Sequence, residues 1–493
     1  MREKSWGRRQ FIKAVAAAAF LGEGLTARRA RAARRDLPNI IWILTDDLRA
    51  DALGCYGSAW AKTPNIDALA QRGVVFQNAH VQSTVCMPSR GSMMTSRYCH
   101  NIGVLENTTR MTRDIPVLTT LLAREGYQTV NIGKLHRSWK GEDFQLKLPA
   151  PAPRVATPFK ILEGDPQKLR VLNLPTPLNV IIGGTYPLPA SKTRTAAMVD
   201  AAIRYFREKL RRPFLLRVSF TFPHTPVLAP KPFDELYDPQ EIPFTRTPEK
   251  YLDTKPVYER EVLRPFEGCQ GLTEEQIRFA RASYYGLVAH GDHEIGRLLD
   301  EADSRKLLDN TIVVLTSDHG VQMGENGLFM KRNFYLPTLT VPLIFSWPGV
   351  LPEGRKLSQL VELVDLLPTL LDCAGIPVPP ECHGRSLLGA MRGEEGGRRS
   401  AVFAEIDHEV SQWGKYLAAR GARRVNIRTA RWRMSYFISR SGRKLTTPEE
   451  KDGELYDLQN DPGELNNLYH NPRFRSVVEE LEGQVERWDR QFA

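Results

Sequence analysis

Cysteine is scarce in this sequence, which contains only six in 493 residues. That number is far too small for a disulfide scaffold. Cys373 and Cys382 are close enough in sequence to bridge a loop, but buried free thiols are the expected state. The composition is otherwise ordinary for a globular enzyme, with 42% hydrophobic and 25% charged residues. At this length we expect one large domain and a smaller second one.

Long hydrophobic runs are also lacking, and the basic excess is unevenly distributed. Residues 1–32 carry eight basic and two acidic side chains, a net +6 of the total formal charge of +11. The rest of the chain is therefore only mildly basic, which is compatible with anionic substrates without demanding them. The sequence has no stacking or groove-binding motif, so nucleic acid is not an expected partner.

The N-terminal segment has the pattern of an export signal. GRRQFIK (7–13) precedes the apolar stretch AVAAAAFLG (14–22) and the small-x-small cleavage pattern ARA (30–32). The arginine pair resembles a twin-arginine signal, and the apolar stretch is too short and alanine-rich for a membrane span. A frayed basic terminus is the alternative. Residues 1–32 therefore predict a bacterial periplasmic or secreted protein, carried folded by the twin-arginine export machinery.

Short apolar runs alternate with helical patterns along the chain. Buried strands are predicted at NIIWILT (39–45), YQTVNIG (127–133), PFLLRVSF (213–220), NTIVVLTS (310–317) and VPLIFSWPG (341–349). Helices are predicted over 115–126 and from Thr273, which with Gln276 resembles a capping box. This alternation predicts an α/β fold, with a large, mostly parallel sheet sandwiched by helices.

Two regions break this rhythm. Residues 141–195 are proline-rich and irregular, and we expect them to wrap over the surface near a site. GEEGGRR (393–399) is typical of a linker, and the short strands and closing helix (474–490) after it predict a small C-terminal α+β subdomain. The predicted organisation is an export signal (1–32), a catalytic domain (36–385) and a C-terminal subdomain (386–493).

Four of the predicted strands end in residues able to do chemistry. These residues are Asp46 and Asp47, Lys134 and His136, His224, and Asp318 and His319. Each has a structural explanation when taken alone, such as a helix cap or an ordinary turn. Because the carboxyl ends of parallel strands share one edge, where ligands bind, we expect them to converge.

The residue types indicate a cation and an anion at this edge. Clustered carboxylates at Asp46, Asp47 and Asp318 repel one another unless a hard cation such as calcium or magnesium lies between them. His319 could add a nitrogen ligand or orient the substrate. The positive charges of Arg90, Lys134 and Lys331 suit a substrate oxyanion such as sulfate or phosphate. The histidines His136 and His224 suit proton transfer.

The stretch VCMPSRGSMMTSR (85–97) places Cys86 beside this site. Pro88 suits the first turn of a helix, so Cys86 would lie at a helix N-terminus, where negative charge is favoured. Core packing, half of a disulfide and a nucleophilic thiolate all remain open for Cys86. A carboxylate-bound hard cation, however, favours an oxygen nucleophile over a thiolate.

CMPSRG (86–91) resembles the sulfatase signature Cys-x-Pro-Ser-Arg, whose cysteine is oxidised to formylglycine. Six further segments resemble sulfatase segments in the expected order: LTDDLRADALGCYG (44–57), KTPNIDALAQRGVVFQNAH (62–80), GKLH (133–136), PHTP (223–226), SDHG (317–320) and ELYDLQNDPGELNNL (454–468). The chain thus resembles the type I, formylglycine-dependent sulfatases of the alkaline phosphatase-like superfamily over nearly all of its presumed mature length.

This resemblance implies a role for each candidate residue. One divalent cation, calcium in preference to magnesium, would be bound by Asp46, Asp47, Asp318, His319 and the modified Cys86. One hydroxyl of hydrated formylglycine would attack sulfur, and deprotonation of the other by His136 would expel sulfate. Arg90 would hold the diol, Lys134 and Lys331 would bind sulfate oxygens, and His224 would protonate the leaving oxygen. A formylglycine-generating enzyme is an implied partner.

The sequence departs from the family at two positions. Asn326, in MGENGLFMKRN (323–333), stands where many sulfatases have histidine, and His319 stands where many have asparagine. The predicted activity is hydrolysis of alkyl or carbohydrate sulfate esters. A phosphoester or phosphonate monoester hydrolase on the same scaffold is the nearest alternative, and a non-catalytic sulfated-glycan binder is another. The complete set of candidate catalytic residues argues against the binder.

Overall fold

The structure is a computed structural model that describes residues 37–111, 114–136, 144–150, 171–244, 246–407, 422–439, 445 and 451–492. The predicted export signal (1–32) lies outside the described residues. The strands are β1 Asn39–Asp46, β2 Val74–His80, β3 Gln128–Gly133, β4 Leu146–Leu148, β5 Val171–Asn173, β6 Ile181–Gly184, β7 Phe214–Pro223, β8 Thr311–Ser317, β9 Gln322–Met323, β10 Phe329–Met330, β11 Thr340–Val341, β12 Leu343–Ser346, β13 Arg355–Glu362, β14 Ala401–Ile406, β15 Ala422–Thr429, β16 Trp432–Ser439 and β17 Glu454–Asp457. The α-helices are α1 Pro64–Gln71, α2 Cys86–Thr95, α3 Cys99–Ile102, α4 Leu118–Arg124, α5 Arg194–Glu208, α6 Glu249–Leu252, α7 Arg264–Glu267, α8 Glu274–Ser304, α9 Leu336–Leu339, α10 Leu366–Cys373, α11 Leu388–Arg392 and α12 Arg475–Gln491.

A large sheet forms the centre of the molecule, with the strand order β11-β2-β12-β8-β1-β7-β3-β4 and β13 also paired with β2. The strands β8, β1, β7, β3 and β4 are mutually parallel. The mostly parallel sheet expected from the sequence is therefore confirmed. The apolar run at 341–349 forms β12, which is antiparallel to both β8 and β2.

Both faces of this sheet are covered, which is why its central strands are continuously apolar. All eight residues of β1 are buried. Ile41 and Ile43 pack into the core on one face, and Ile40, Trp42 and Leu44 pack into the core on the other. Full burial of such a side chain contributes about 1.5–3 kcal/mol, so the alternation along β1 fixes the strand between the two helical layers.

The long helix α8 packs against the face that contains Ile41 and Ile43. It begins with the predicted capping box: Thr273 Oγ1 accepts a hydrogen bond from Gln276 N (3.2 Å), and Thr273 N donates to Gln276 Oε1 (2.8 Å). A Cβ at Gly291 would lie 2.1 Å from the Phe222 ring. The glycine thus allows α8 to approach the carboxyl end of β7 closely. None of the described helices is long and apolar enough to cross a lipid bilayer.

The C-terminal region contains a separate antiparallel sheet, in the order β14-β15-β16-β17. Helix α12 covers it and buries Val478, Leu481, Val485 and Trp488. This agrees with the predicted α+β character of the region. The expectation of an irregular 141–195 segment was wrong in part, because β4 extends the central sheet and β5 pairs with β6 in a hairpin.

Candidate active site

The four strands that carry the candidate residues are neighbours in the central sheet, in the order β8-β1-β7-β3. Their carboxyl ends lie along one edge, and the side chains that follow them meet there. Lys134 Nζ forms an ion pair with Asp46 Oδ2, and His224 Nε2 lies 4.0 Å from Asp47 Oδ2. Asp318 and His319 follow β8 and are fully buried.

The turn after β1 turns the Asp47 side chain back into the site. Asp47 has a φ of +68°, in the left-handed region that few non-glycine residues adopt. The Tyr284 hydroxyl donates to the Asp47 carbonyl (2.8 Å) and accepts from Arg49 N (3.1 Å). Tyr284, which the sequence reasoning did not identify, therefore supports this strained conformation from α8.

Ser317 ties this turn to the turn after β8. Its Oγ accepts a hydrogen bond from Leu48 N (3.0 Å) and donates one to the His319 carbonyl (2.9 Å). The two segments that carry the acidic residues are thus held together by one buried hydroxyl. Ser317 lies at the last position of β8, but nothing in the sequence pattern separates it from an ordinary strand-end serine.

Cys86 lies at the centre of the site, as the first residue of α2. Its Sγ lies 3.2 Å from His319 Nε2, 3.4 Å from Lys331 Nζ and 3.8 Å from Asp46 Oδ1. Its side chain is buried, and it forms no disulfide. With charged groups on three sides, Cys86 is neither half of a disulfide nor an apolar packing residue.

Arg90 is one turn further along α2 and faces the same site. Its Nε donates to Asp318 Oδ2 (2.7 Å), and its second terminal nitrogen lies 3.4 Å from Asp46 Oδ2. The remaining nitrogen donates to Ser219 Oγ on β7 (2.8 Å). One buried guanidinium therefore links three of the four strand ends. Ser219 was missed by the sequence reasoning, although it lies near the carboxyl end of a predicted strand.

Lys331 reaches the site from the loop after β10. Its Nζ lies 2.9 Å from Asp47 Oδ1, and its side chain is almost fully buried. Its neighbours Met330 and Arg332 have φ values of +70° and +74°. Arg332 is held by an ion pair to the buried Glu267 (3.3 Å). The structure thus brings Lys331 to Cys86 through a strained and anchored loop segment.

The charges of the site favour a negative group at position 86. Burial raises the pKa of the Cys86 thiol, and the carboxylate of Asp46 adds to this effect. Lys331, His319 and a hydrogen bond from His136 outweigh both and hold the pKa well below its usual range. The cations around Cys86 therefore stabilise a negatively charged group at this position.

The same cations keep two of the carboxylates ionised despite their burial. Burial raises the pKa of Asp46, but His224, Lys134 and Lys331 bring it well below its usual range. Burial likewise raises the pKa of Asp47, but Lys331 and His224 lower it by more, so that it lies below its usual range. Asp318 differs, because burial and the neighbouring Asp46 raise its pKa and Arg90 offsets them only in part.

The donor set fits a hard divalent cation. Asp46, Cys86, Asp318 and His319 can direct ligand atoms to one point, and so can Asp46, Asp47 and His224. Asp47 Oδ2 is buried, and no described residue donates a hydrogen bond to it. A buried carboxylate oxygen without a partner is costly unless an ion or water satisfies it. Oxygen donors of this kind favour calcium or magnesium.

Two other residues of the prediction have distinct surroundings. His136 contacts Cys86, while its buried Nδ1 has no hydrogen-bond partner among the described residues. Asn326 accepts a hydrogen bond from the buried Lys255 ammonium (3.1 Å). The Asn326 side chain therefore anchors its own loop against Lys255.

A mostly parallel sheet flanked by helices, with a carboxylate cluster at its carboxyl edge, agrees with the fold of the alkaline phosphatase-like superfamily of hydrolases, to which the sulfatases belong. The sulfatase family model matches residues 38–376, and the model for the C-terminal region of N-sulphoglucosamine sulphohydrolase matches 324–491. The chain belongs to the sulfatase family, and it is a sulfuric ester hydrolase.

Individual relatives agree with this assignment over most of the chain. The choline-sulfatase of Rhizobium meliloti is 30% identical over 451 residues, covering 88% of this chain and 83% of that protein. The Delta 4,5-hexuronate-2-O-sulfatase of Bacteroides thetaiotaomicron is 27% identical and covers 93% and 90%. The phosphonate monoester hydrolase of Agrobacterium radiobacter has a similar fold, with a TM-score of 0.77, 24% identity and coverage of 92% and 96%.

Proposed function

We propose that this protein hydrolyses sulfate esters of small molecules or carbohydrates through a formylglycine made from Cys86. One divalent cation, calcium in preference to magnesium, completes the site. The names of its relatives, a choline-sulfatase and a hexuronate 2-O-sulfatase, support both substrate types. The observation that carries the proposal is the position of Cys86, at the first residue of a buried helix and within 3.4 Å of His319 and Lys331.

Formylglycine would supply what a thiol lacks here, since the hydrated aldehyde presents an oxygen nucleophile for sulfur. The chain's own part is to position and charge-balance that group. The helix N-terminus directs backbone N–H groups toward position 86. Arg90, fixed between Asp318 and Asp46, keeps its guanidinium against the same side of the site.

Lys134 and Lys331 provide the positive charge for a sulfate group. Lys331 is almost fully buried, and Lys134 is only partly covered. Burial lowers the pKa of Lys134, but the combined attraction of Asp46, Cys86 and Asp318 outweighs burial and raises it. The ammonium groups thus stay charged in a largely buried site, where they would stabilise charge on the sulfate oxygens more than in bulk solvent.

The two histidines have positions suited to proton transfer. His136 hydrogen-bonds to the group at position 86 and can accept its proton. His224 Nδ1 lies 2.6 Å from the Thr225 carbonyl, which can only accept a hydrogen bond. Nδ1 must therefore carry a proton, and His224 donates from Nε2 to a leaving oxygen only as the imidazolium. Its partial exposure supports a position on the substrate side of the site.

Asp46, Asp47, Asp318, His319 and the modified Cys86 would hold the cation. A divalent cation would offset the repulsion among these carboxylates, and Asp47 Oδ2 is a buried oxygen still free to take part in binding it. Twin-arginine export directed by residues 1–32 complements this chemistry. A route that carries folded protein allows a formylglycine-generating enzyme to modify Cys86 in the cytoplasm before export.

The proposal is tested by comparing turnover of 4-nitrophenyl sulfate, 4-nitrophenyl phosphate and a phenyl phosphonate ester. We expect the sulfate to have the highest kcat/KM, and Cys86→Ala to abolish its hydrolysis. Cys269→Ala, at another buried free cysteine, should retain activity. A higher kcat/KM for the phosphonate ester would identify a phosphonate monoester hydrolase instead, and full activity of Cys86→Ala would refute the proposed nucleophile.

A further inference from the structure

A cavity lies where the central sheet meets the C-terminal region. Its volume is about 390 Å³, and it is open to the surface. Four parts of the chain line it: Tyr98 after α2, Glu362 at the end of β13, the segment 383–403, and one face of α12 with Phe492 after it. Tyr98 follows the C-terminal end of α2, whose first residue is Cys86. Ten helical residues span about 15 Å, so this cavity is separate from the active site.

The cavity is lined by four arginines, Arg385, Arg398, Arg399 and Arg487, and by a single carboxylate, Glu362. Glu362 is already bound, because Arg399 Nε lies 2.9 Å from it and the Tyr98 hydroxyl donates to it at 3.0 Å. Arg399 also pairs with Asp365, at 2.5 and 2.6 Å. The inner layer of the cavity is thus a satisfied network with no carboxylate left for the other arginines.

The three remaining arginines have no ion pair with any described residue. Arg385 donates to the Gly397 carbonyl (2.7 Å). Arg487 lies on α12, where the residues three and four positions away are Gly483, Gln484, Arg490 and Gln491, so the helix offers it no carboxylate partner. Three cationic groups therefore line one concave surface, and none of them is within ion-pair distance of a described carboxylate.

Burial and nearby cations lower the pKa of two basic groups that line the cavity. The pKa of Arg385 is lowered by burial and by the nearby Arg399, with Asp365 and Glu362 offsetting them only in part. The pKa of His383 is lowered to about 4 by burial and then by Arg97 and His100. Both groups would be stabilised in their charged forms by an anion bound in the cavity.

The rest of the lining suits a saccharide. Gln484, Arg487 and Gln491 lie three and seven residues apart on one face of α12 and present amide and guanidinium donors. Phe403 and Phe492 are half-buried at the cavity, and the Trp488 ring stacks on Phe403 at 5.0 Å. Flat apolar surfaces beside forked donors match a sugar ring that carries sulfate or carboxylate groups.

We infer that this cavity binds a sulfated segment of a saccharide chain at a distance from the catalytic centre. The inference rests on the proposed function, because it adds a second contact for a polymeric form of the same substrate class. A second attachment point raises the effective concentration of the chain near the active site without changing the chemistry there.

The test compares two double variants that remove the same charge. Arg398→Gln with Arg487→Gln alters the cavity, whereas Arg475→Gln with Arg490→Gln alters α12 outside it. Binding of a fluorescent heparin-derived hexasaccharide is measured in the Cys86→Ala background, with inorganic sulfate as a competitor. We expect the affinity of the cavity variant to fall at least about tenfold, which corresponds to the loss of one hydrogen bond to a charged group. The affinity of the α12 control should fall much less.

Other outcomes would overturn the inference. Equal losses in both double variants would show non-specific attraction, and an unchanged affinity would show that the cavity is not used. Competition by inorganic sulfate at the same concentration as the hexasaccharide would contradict a saccharide site. Hydrolysis of 4-nitrophenyl sulfate by both variants with Cys86 intact should equal that of the unaltered protein. If neither the unaltered protein nor either double variant hydrolyses 4-nitrophenyl sulfate, the proposed function is refuted. The binding measurement still decides whether the cavity binds a saccharide.

Discussion

The guanidinium of Arg90 and the carboxylate of Asp318 lie 2.7 Å apart, and both side chains are fully buried. The pair connects α2, which presents Cys86, to the turn after β8. Asp46 on β1 and Ser219 on β7 contact the same guanidinium. The position of Cys86 against the sheet edge therefore depends on one charged group within the site.

Replacing Arg90 should destabilise the fold as well as the site. Arg90→Ala leaves Asp318 and Asp46 buried without this partner, and breaking a buried pair costs about 3–5 kcal/mol. Urea unfolding of Arg90→Ala should show this loss, whereas Arg97→Ala, just beyond the end of α2, should change stability little. Equal stability of the two variants would contradict the structural role assigned to Arg90.

Ser317→Ala should weaken cation binding while leaving the fold intact. The variant removes the hydroxyl that joins Leu48 N to the His319 carbonyl, and loss of such a supporting contact typically costs 10–100-fold in metal affinity. Calcium titration by calorimetry measures the change. Ser346→Ala is the matched control, because Ser346 also ends a strand but bonds to the Arg72 carbonyl (2.8 Å). An unchanged calcium affinity in Ser317→Ala would exclude the proposed coupling of the two turns.

Calcium should stabilise the protein through the carboxylate cluster. A ligand present at 100 times its Kd stabilises the folded state by about 2.7 kcal/mol, so the melting temperature should rise on addition of calcium and fall on chelation. Asp47→Asn keeps the side-chain shape but removes one charge, and should reduce this rise. Asp51→Asn, at an exposed carboxylate beside the same turn, should keep it. A rise of equal size in Asp47→Asn would place the bound ion elsewhere.

His290 should make the fold less stable in acid. Burial lowers the pKa of His290 from 6.5 to about 4, and the neighbouring His293 adds to this. The unfolded chain therefore binds more protons than the folded one between these values, and stability falls as the pH falls from 6.5 to 4. The contribution amounts to about 3 kcal/mol over that window. His290→Gln should flatten the pH dependence of urea unfolding, and the exposed His470→Gln should not; identical slopes would contradict this assignment.

The capping box of α8 should contribute to stability but not to catalysis. Thr273→Ala removes the side-chain acceptor for Gln276 N and should cost about 1 kcal/mol. Thr273→Ser retains a hydroxyl and should cost less. Thr273 precedes the first residue of α8 and is far along the helix from Gly291, which packs against the carboxyl end of β7. The kcat for 4-nitrophenyl sulfate should therefore be unchanged in both Thr273 variants. A fall in kcat without a fall in stability would count against this explanation.

Much of the sheet and site could be predicted because chemistry-bearing residues directly follow buried apolar runs. The strand order could not be predicted, and the contacts of Ser219 and Ser317 depend on it. Their patterns are those of ordinary strand-end serines. The antiparallel direction of β12 was equally hidden, since a strand buried on both faces has the same apolar pattern in either direction.

Local backbone features were the other unpredicted element. An Asp-Asp pair after a strand is typical of a helix cap, yet Asp47 adopts a left-handed φ supported by Tyr284, a residue on a distant helix. The strands β4, β5 and β6 are three or four residues long and lie among prolines. Such short strands leave no periodicity for a sequence pattern to reveal.

The central claim is that Cys86 is the precursor of the catalytic group. Mass spectrometry of the tryptic peptide 73–90, from freshly isolated protein that hydrolyses 4-nitrophenyl sulfate, tests it most directly. The peptide should carry an aldehyde in place of the thiol at position 86, and the peptides that contain the other five cysteines should carry thiols. An unmodified thiol at position 86 in fully active protein would contradict it.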